Sequence, residues 1–122
     1  MIVGMVGASL IPTVILEIKG EAGQSVTVDV LVDTGFNGYL TLPLDVLQRL
    51  QAPSYDKVYA VLADGSEIVA ARYLVRVVWD GTEMIIGADE AEGLPLIGME
   101  LMLDYTVSVE AWNGGQVTIT RR

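Results

Sequence analysis

Two absences narrow the chemistry open to this chain of 122 residues, because the sequence contains no histidine and no cysteine. Without imidazole or thiol groups, Ser-His-Asp machinery, cysteine nucleophiles and thiolate metal sites are excluded. Acid–base chemistry must then use carboxylates, lysine or tyrosine. One carboxylate has an unusual setting: Asp33 directly follows the apolar triplet Val30-Leu31-Val32 and precedes Thr34 and Gly35.

The setting of Asp33 supports two interpretations. A carboxylate at the end of a buried strand is costly to desolvate unless neighbouring groups compensate its charge. Gly35 lets another backbone segment approach closely, and Thr34 offers a hydroxyl that can hold a neighbouring loop. The simpler interpretation is a strand that ends in a polar turn at Asn37-Gly38. The tripeptide alone leaves both open.

Short strands are expected around this turn. Residues 14–18 and 26–32 are rich in β-branched side chains and flank a polar stretch with two glycines, which predicts a hairpin. A short apolar run at 39–42 follows the Asp33 turn. Residues 43–50 begin with proline and carry leucines at helical spacing, which predicts a two-turn helix.

A second hairpin is predicted in the middle of the chain. Residues 58–62 and 68–78 are joined through Ala63-Asp64-Gly65-Ser66, where Asp-Gly supplies the positive φ angles of a tight turn. The remaining segments are a strand at 82–86, an acidic loop at 89–93, an apolar run at 94–98, good helix formers at 99–103, and strands at 106–109 and 116–120.

These segments predict one all-β domain spanning residues 1–122, most consistent with a small barrel carrying one or two short helices. An apolar strand, a glycine turn and a short leucine-rich helix occur around residues 35–50 and again around 96–103. This repetition suggests an internal pseudo-repeat.

Charge and hydropathy restrict the partners. Sixteen acidic side chains stand against seven basic ones, so the formal net charge is −9, which argues against a nucleic-acid partner. A mean hydropathy of +0.48 is high for so short a chain and predicts apolar surface that meets another chain. The first sixteen residues are nearly all apolar, but they lack a basic segment and are too short to cross a membrane. We therefore expect a cytoplasmic protein without a membrane partner.

Three features occur in a characteristic order: Val32-Asp33-Thr34-Gly35, the hairpin in mid-chain, and Leu96-Ile97-Gly98 before a short helical segment. In this order the chain resembles the retropepsin-like aspartic proteases of the single-domain, retroviral type. The ending Leu-Ile-Gly-Met-Glu-Leu-Met is similar to that of the small bacterial members. The resemblance covers residues 13–120.

The resemblance implies a homodimeric aspartic endopeptidase with a retropepsin-like barrel. Two copies of Asp33, one from each chain, would share one proton, because like charges about 3 Å apart cannot both ionise. A water activated between them would attack an extended peptide or protein substrate, with no cofactor and no metal.

The resemblance also implies roles for the neighbouring residues. Thr34 would hold the two active-site loops together, Gly35 would contact substrate backbone, and a second loop would pack beside the aspartate. That second loop consists of Leu96, Ile97 and Gly98. The hairpin tip would form a flap over the substrate, and its residues are Leu62, Ala63, Asp64, Gly65 and Ser66.

Three positions depart from the retroviral pattern, namely Phe36, Asn37 and Met99. The resemblance leads us to expect a small residue at position 36. It also leads us to expect an acidic residue at position 37 and a basic residue at position 99, which would pair near the dimer interface. Their replacement keeps a second hypothesis open, a retropepsin-like domain that dimerises or binds peptides with weak catalysis or none.

Other chemistries are less well supported. The acidic stretch 89–92 lacks the alternating ligands and central glycine of a calcium loop. Asp29 and Asp33 could face the same side of a strand as a glycosidase pair, but no sugar-stacking aromatics accompany them. A Ser-Lys dyad would need Lys19 or Lys57, and both are expected in polar, loop-like surroundings rather than in the apolar pocket that activates a lysine.

Overall fold

The computed structural model describes the backbone of residues 1–122 and every side chain except those of Val58 and Ala60. Its regular structure consists of ten strands and a short helix. In chain order these are β1 (Ile2–Val6), β2 (Pro12–Lys19), β3 (Ser25–Val32), β4 (Leu40–Leu42), α1 (Leu44–Arg49), β5 (Ser54–Val61), β6 (Glu67–Trp79), β7 (Thr82–Glu90), β8 (Leu96–Ile97), β9 (Tyr105–Val109) and β10 (Gln116–Arg121). The all-β class predicted from the sequence is confirmed.

All ten strands belong to one sheet, in the order β5-β6-β7-β4-β8-β3-β2-β1-β10-β9. An additional pairing between β6 and β2 folds the sheet back on itself, with Ile18 opposite Val77. Most neighbours are antiparallel, but β8 runs parallel to β3 and β4 runs parallel to β7. The parallel pairing of β3 with β8 positions the Asp33 segment, which directly follows β3.

Alternation along the strands explains how the sheet encloses a core. On β2, the side chains of Val14, Leu16 and Ile18 are buried while Ile15 between them is exposed. Helix α1 closes one side of the core with Val46 and Leu47. Burial of aliphatic side chains is the main stabilising contribution in a domain of this size.

The predicted helix at residues 43–50 is confirmed as α1, and the N-cap position is Pro43. The second expected helix, at residues 99–103, is absent. That segment consists of hydrogen-bonded turns in which the Met102 N–H donates to the Gly98 carbonyl at 3.2 Å. The chain then reverses at Asp104, whose φ is 68°. Too few residues remain to offset the cost of starting a helix, so the pseudo-repeat lacks its second helix.

The acidic loop predicted at 89–93 is partly wrong, because β7 continues to Glu90. Asp89 on this strand pairs with Arg72 of β6, which stabilises an acidic residue in an extended segment. The sequence also gave no expectation of β1, which pairs with both β2 and β10. None of the described helices is long and apolar enough to cross a membrane.

Candidate functional site

Asp33 lies at the carboxyl end of β3, where the parallel strand β8 positions it. Val32 lies opposite Ile97 in the register of these strands, and both side chains are buried. The Asp33 N–H donates to the Ile97 carbonyl at 3.0 Å, which continues the pairing one residue beyond the strand. The Asp33 side chain is half-buried at the point where the sheet ends.

The segment after Asp33 forms a tight turn. The Gly35 N–H donates to Asp33 Oδ1 at 2.9 Å, and the Phe36 N–H donates to the Asp33 carbonyl at 3.2 Å. Thr34 and Gly35 are exposed. Among the described residues, the Gly35 N–H is the one donor to the Asp33 carboxylate, and Oδ2 accepts no hydrogen bond. The turn therefore presents Asp33 outward rather than enclosing it.

Three backbone hydrogen bonds join the Asp33 turn to the segment after β8. The N–H groups of Gly98, Met99 and Glu100 donate to backbone carbonyls of the Asp33 segment. Their acceptors are Tyr39 at 3.1 Å, Phe36 at 2.8 Å and Gly38 at 3.2 Å, respectively. The two segments expected to lie side by side, Asp33-Thr34-Gly35 and Leu96-Ile97-Gly98, are thus brought together. This network fixes the backbone around Asp33.

Gly98 is required by close contact in this network. A Cβ at this position would overlap the carbonyl oxygen of Gly38 and the ring of Phe36. The Phe36 ring also lies over Gly38, where a Cβ would come within 2.5 Å of its Cζ. Phe36, which departs from the retroviral pattern, therefore fills the space beside Gly38 and Gly98. It helps to hold the Asp33 segment against the residues after β8.

Thr41 is a supporting residue that sequence reasoning missed. Its side chain is buried, and its Oγ1 accepts a hydrogen bond from the Leu96 N–H at 3.0 Å. This contact attaches β8 to β4 at the start of the Leu96-Ile97-Gly98 segment. The available signal was a lone polar residue in the apolar run Leu40-Thr41-Leu42, since a buried hydroxyl needs a partner.

The predicted mid-chain hairpin is present as β5 and β6, but of the Asp-Gly pair expected to supply positive φ angles, Gly65 does so and Asp64 does not. The Leu62 N–H donates to the Ser66 carbonyl at 2.7 Å, and Gly65 has a φ of 85°. Asp64 Oδ1 accepts from the Ser66 hydroxyl at 2.6 Å and from the Ser66 N–H at 2.9 Å, and these bonds lower the pKa of Asp64. Ala63 at the tip is exposed.

The hairpin carries apolar side chains that none of the described residues covers. Val61 is 70% exposed and Val69 is 57% exposed, and Leu62 at the turn is also exposed. These aliphatic groups give the hairpin an apolar surface.

A cavity of about 260 Å³ lies between the base of the hairpin and the segment after Asp33. Its lining consists of Asn37, Gly38, Tyr39, Tyr55, Arg72, Gly87, Asp89 and Glu100. Arg72 contacts Asp89 through two nitrogens, at 2.7 Å and 3.3 Å, and the carboxylate raises the pKa of the guanidinium. The cavity thus has a rigid, polar wall on the hairpin side.

Comparison with known proteins supports the fold. No family model matches the chain, and no curated protein matches its sequence. Among solved structures, the EIAV protease complexed with the inhibitor HBY-793 is similar, with a TM-score of 0.55 over 77% of this chain and 86% of that one. The two sequences are 18% identical. The chain therefore has the retropepsin-like all-β fold of a retroviral protease.

Proposed function

We propose that this protein is an aspartic endopeptidase whose active site forms when two copies of the chain bring their Asp33 side chains together. The observation that carries the proposal is the position of Asp33-Thr34-Gly35. This triplet lies at the end of a buried strand and is hydrogen-bonded to the Leu96-Ile97-Gly98 segment. The retropepsin-like fold shared with a retroviral protease adds support.

The chemistry requires one proton shared between the two carboxylates. The ionised Asp33 removes a proton from a water molecule, whose oxygen attacks the scissile carbonyl carbon. The protonated Asp33 of the other copy donates its proton to the carbonyl oxygen. In the resulting tetrahedral intermediate, the carbon–nitrogen bond breaks as the Asp33 that took the water proton gives it to the departing nitrogen. The other Asp33 regains a proton from a hydroxyl of the intermediate as the carboxyl product forms. Only carboxyl groups and water take part, which suits a chain without histidine or cysteine.

The geometry of one chain is consistent with this role. Among the residues that the structure describes, the Gly35 N–H donates the one hydrogen bond that Oδ1 of Asp33 accepts, and Oδ2 accepts none, which leaves it open to water. Thr34 and Gly35 are exposed beside it, where a second chain and a substrate could reach them. The surrounding backbone is fixed by hydrogen bonds, so little reorganisation would accompany reaction.

The β5–β6 hairpin would act as the flap of this site. Its exposed apolar residues Val61, Leu62 and Val69 would cover an extended peptide. An extended substrate can pair its backbone with a strand edge, while its side chains occupy pockets on alternate sides. The substrate class is therefore an unfolded or extended polypeptide.

Asp33→Asn tests the proposal directly. We expect this variant to lose at least about 1,000-fold of the peptidase activity, because asparagine can neither accept the water proton nor hold the shared one. Asp29→Asn is the matched control, since Asp29 is an exposed carboxylate on β3, the strand that leads into Asp33. Hydrolysis of a peptide library is measured by mass spectrometry. Equal cleavage by Asp33→Asn and the parent chain would exclude the mechanism.

A second candidate function is peptide binding or dimerisation without catalysis. It is favoured by the uncharged residues Asn37 and Met99, where the retroviral pattern has an ion pair near the dimer interface, and by the bulky Phe36. A crystal structure of the assembled protein distinguishes the two. Asp33 carboxylates within about 3 Å of each other favour the enzyme, whereas separated carboxylates and stable binding of uncleaved peptide favour the binding domain.

A further inference from the structure

The cavity between the hairpin base and the segment after Asp33 contains a carboxylate that the proposed mechanism does not use. Tyr55 on β5 and Arg72 on β6 line it from the hairpin side, and Asn37 and Glu100 line it from the Asp33 side. Asn37, Tyr55 and Glu100 are exposed, so the cavity opens to solvent. We call it the Glu100 cavity. A polypeptide held at Asp33 beneath the hairpin would pass its opening.

The space in the Glu100 cavity depends on Gly87 of β7. A Cβ at this position would come within 2.5 Å of the Tyr55 hydroxyl oxygen and 2.9 Å of Arg72 Cδ. These two side chains therefore lie directly against the glycine backbone. The volume of about 260 Å³ is below the roughly 300–1,000 Å³ of pockets that hold whole small molecules. The cavity thus suits a single long side chain.

The positive charge in the lining is already neutralised. Arg72 Nε donates to Asp89 Oδ1 at 2.7 Å, and Arg72 Nη2 donates to Asp89 Oδ2 at 3.3 Å. Asp56 lies opposite Arg72 in the β5–β6 pairing. The hydrogen bond to Asp89 is the main cause of the raised pKa of Arg72, and the charge of Asp56 acts in the same direction. Arg72 therefore offers little attraction to an anionic ligand.

The carboxylate of Glu100 has no such compensation. The Glu100 N–H donates to the Gly38 carbonyl at 3.2 Å, which fixes the backbone of this residue to the Asp33 segment. Among the described residues, no ammonium or guanidinium group lies within ion-pair distance of its side chain. Because the charges of Arg72 and Asp89 cancel, Glu100 leaves the lining with one net negative charge.

This lining favours one class of side chain. An ammonium or guanidinium group can form a charge-assisted hydrogen bond with Glu100 and further hydrogen bonds with the oxygens of Asn37 and Tyr55. An apolar side chain would cover Glu100 without giving it a partner, and an acidic side chain would be repelled. The net charge of −9 on the whole chain also attracts basic polypeptides.

We propose that the Glu100 cavity binds a lysine or arginine side chain of the substrate and that Glu100 determines this specificity. The inference rests on the proposed function, which supplies the polypeptide substrate. Each of the two copies in the assembled enzyme would contribute one such cavity. The selected basic residues would therefore lie on both sides of the scissile bond.

Peptide binding to the Asp33→Asn variant tests the inference apart from cleavage. Labelled peptides share one extended sequence and carry lysine, methionine or glutamate at each position in turn, and fluorescence anisotropy gives their dissociation constants. At one or more positions, lysine should strengthen binding at least about fivefold relative to methionine, and glutamate should weaken it. Adding Glu100→Gln should remove the preference. Adding Glu21→Gln is the matched control, since Glu21 is exposed in the β2–β3 turn outside the cavity, and should retain it.

Glu100→Lys gives an independent check, because it should reverse the preference from lysine to glutamate at the same positions. Glu100 is exposed, so both substitutions should leave the thermal stability unchanged.

The outcomes separate this inference from the proposed function. If the lysine peptides bind no more tightly than the others, or if none binds, the specificity is wrong, and the proposed function stands as long as cleavage requires Asp33. If lysine is preferred through Glu100 but Asp33→Asn cleaves peptides as fast as the parent chain, the proposed function is wrong and the binding preference stands.

Discussion

The Asp33 segment and the tip of the β5–β6 hairpin are both loops that follow strands, but they differ in the contacts that fix them to the rest of the protein. Backbone hydrogen bonds connect the Asp33 segment to the residues after β8, and the Phe36 ring packs over two glycines there. In the part of the chain that the structure describes, the hydrogen bonds at the hairpin tip lie within its own turn, and the apolar side chains there are exposed.

This contrast separates two requirements of a peptidase site. Reacting groups must be fixed to within a fraction of an ångström, which a network anchored on buried strands provides. A segment that admits and then covers a polymer must open, and segments with few buried contacts open at low cost in free energy. In the proposed peptidase, the Asp33 segment would position the reacting groups and the hairpin would capture the substrate.

The largest effect is expected from Gly98→Ala, which disturbs the contacts between the Asp33 segment and the residues after β8. The added Cβ overlaps the Gly38 carbonyl and the Phe36 ring, so the free energy of unfolding should fall by at least about 2 kcal/mol. Urea denaturation measures the change. Gly7→Ala is the control, because a Cβ at Gly7 has no neighbour within 4 Å, and its stability should match the parent. Equal stability of the two variants would contradict the anchored geometry.

A smaller and more selective effect is expected from a pair of truncations, one in each region. Phe36→Ala removes a half-buried ring from the Asp33 network and should cost about 2 kcal/mol of stability, less than a fully buried ring would. Leu62→Ala removes an exposed side chain from the hairpin and should leave stability within about 0.5 kcal/mol. It should instead raise KM several-fold. Denaturation and steady-state kinetics together show whether positioning and capture separate in this way.

The smallest effect concerns the hairpin turn and pH. Ser66 lowers the pKa of Asp64 below its ordinary value of 3.8. The folded pKa is the lower one, so this contact stabilises the turn above about pH 4, and the contribution is lost as the pH falls through the lowered pKa. Ser66→Ala should raise the Asp64 pKa toward its ordinary value, as measured by NMR titration, with little change in global stability. An unchanged pKa would show that the hydroxyl contact is absent in solution.

Much of this architecture could be predicted from local signals. The hairpin at residues 63–66 followed from Asp-Gly turn chemistry, and helix α1 followed from a proline start and leucine spacing. Alternating β-branched residues likewise located β2 and β3. Each of these elements is specified by interactions within a few residues, so the sequence alone carries the information.

Other elements depended on contacts between distant residues. The segment at 99–103 contains good helix formers, yet it adopts turns because the chain must reverse at Asp104 to enter β9. Asp89 was expected in an acidic loop, and its pairing with Arg72 places it on a strand. Strand β1 was not expected, because its pairing depends on β10 at the far end of the chain.

By itself, the sequence determined which functional groups this protein has: carboxylates are present, whereas imidazole and thiol groups are absent. It also determined that an Asp-Thr-Gly turn follows an apolar segment, and that the chain is acidic and rich in apolar residues. Only the tertiary structure decided how these groups and segments are arranged in space. Parallel pairing of β3 with β8 places Asp33 against Ile97, and backbone hydrogen bonds join the Asp33 turn to the segment after β8. The physical reason is that composition and turn chemistry act locally, whereas register and packing join residues that lie far apart along the chain.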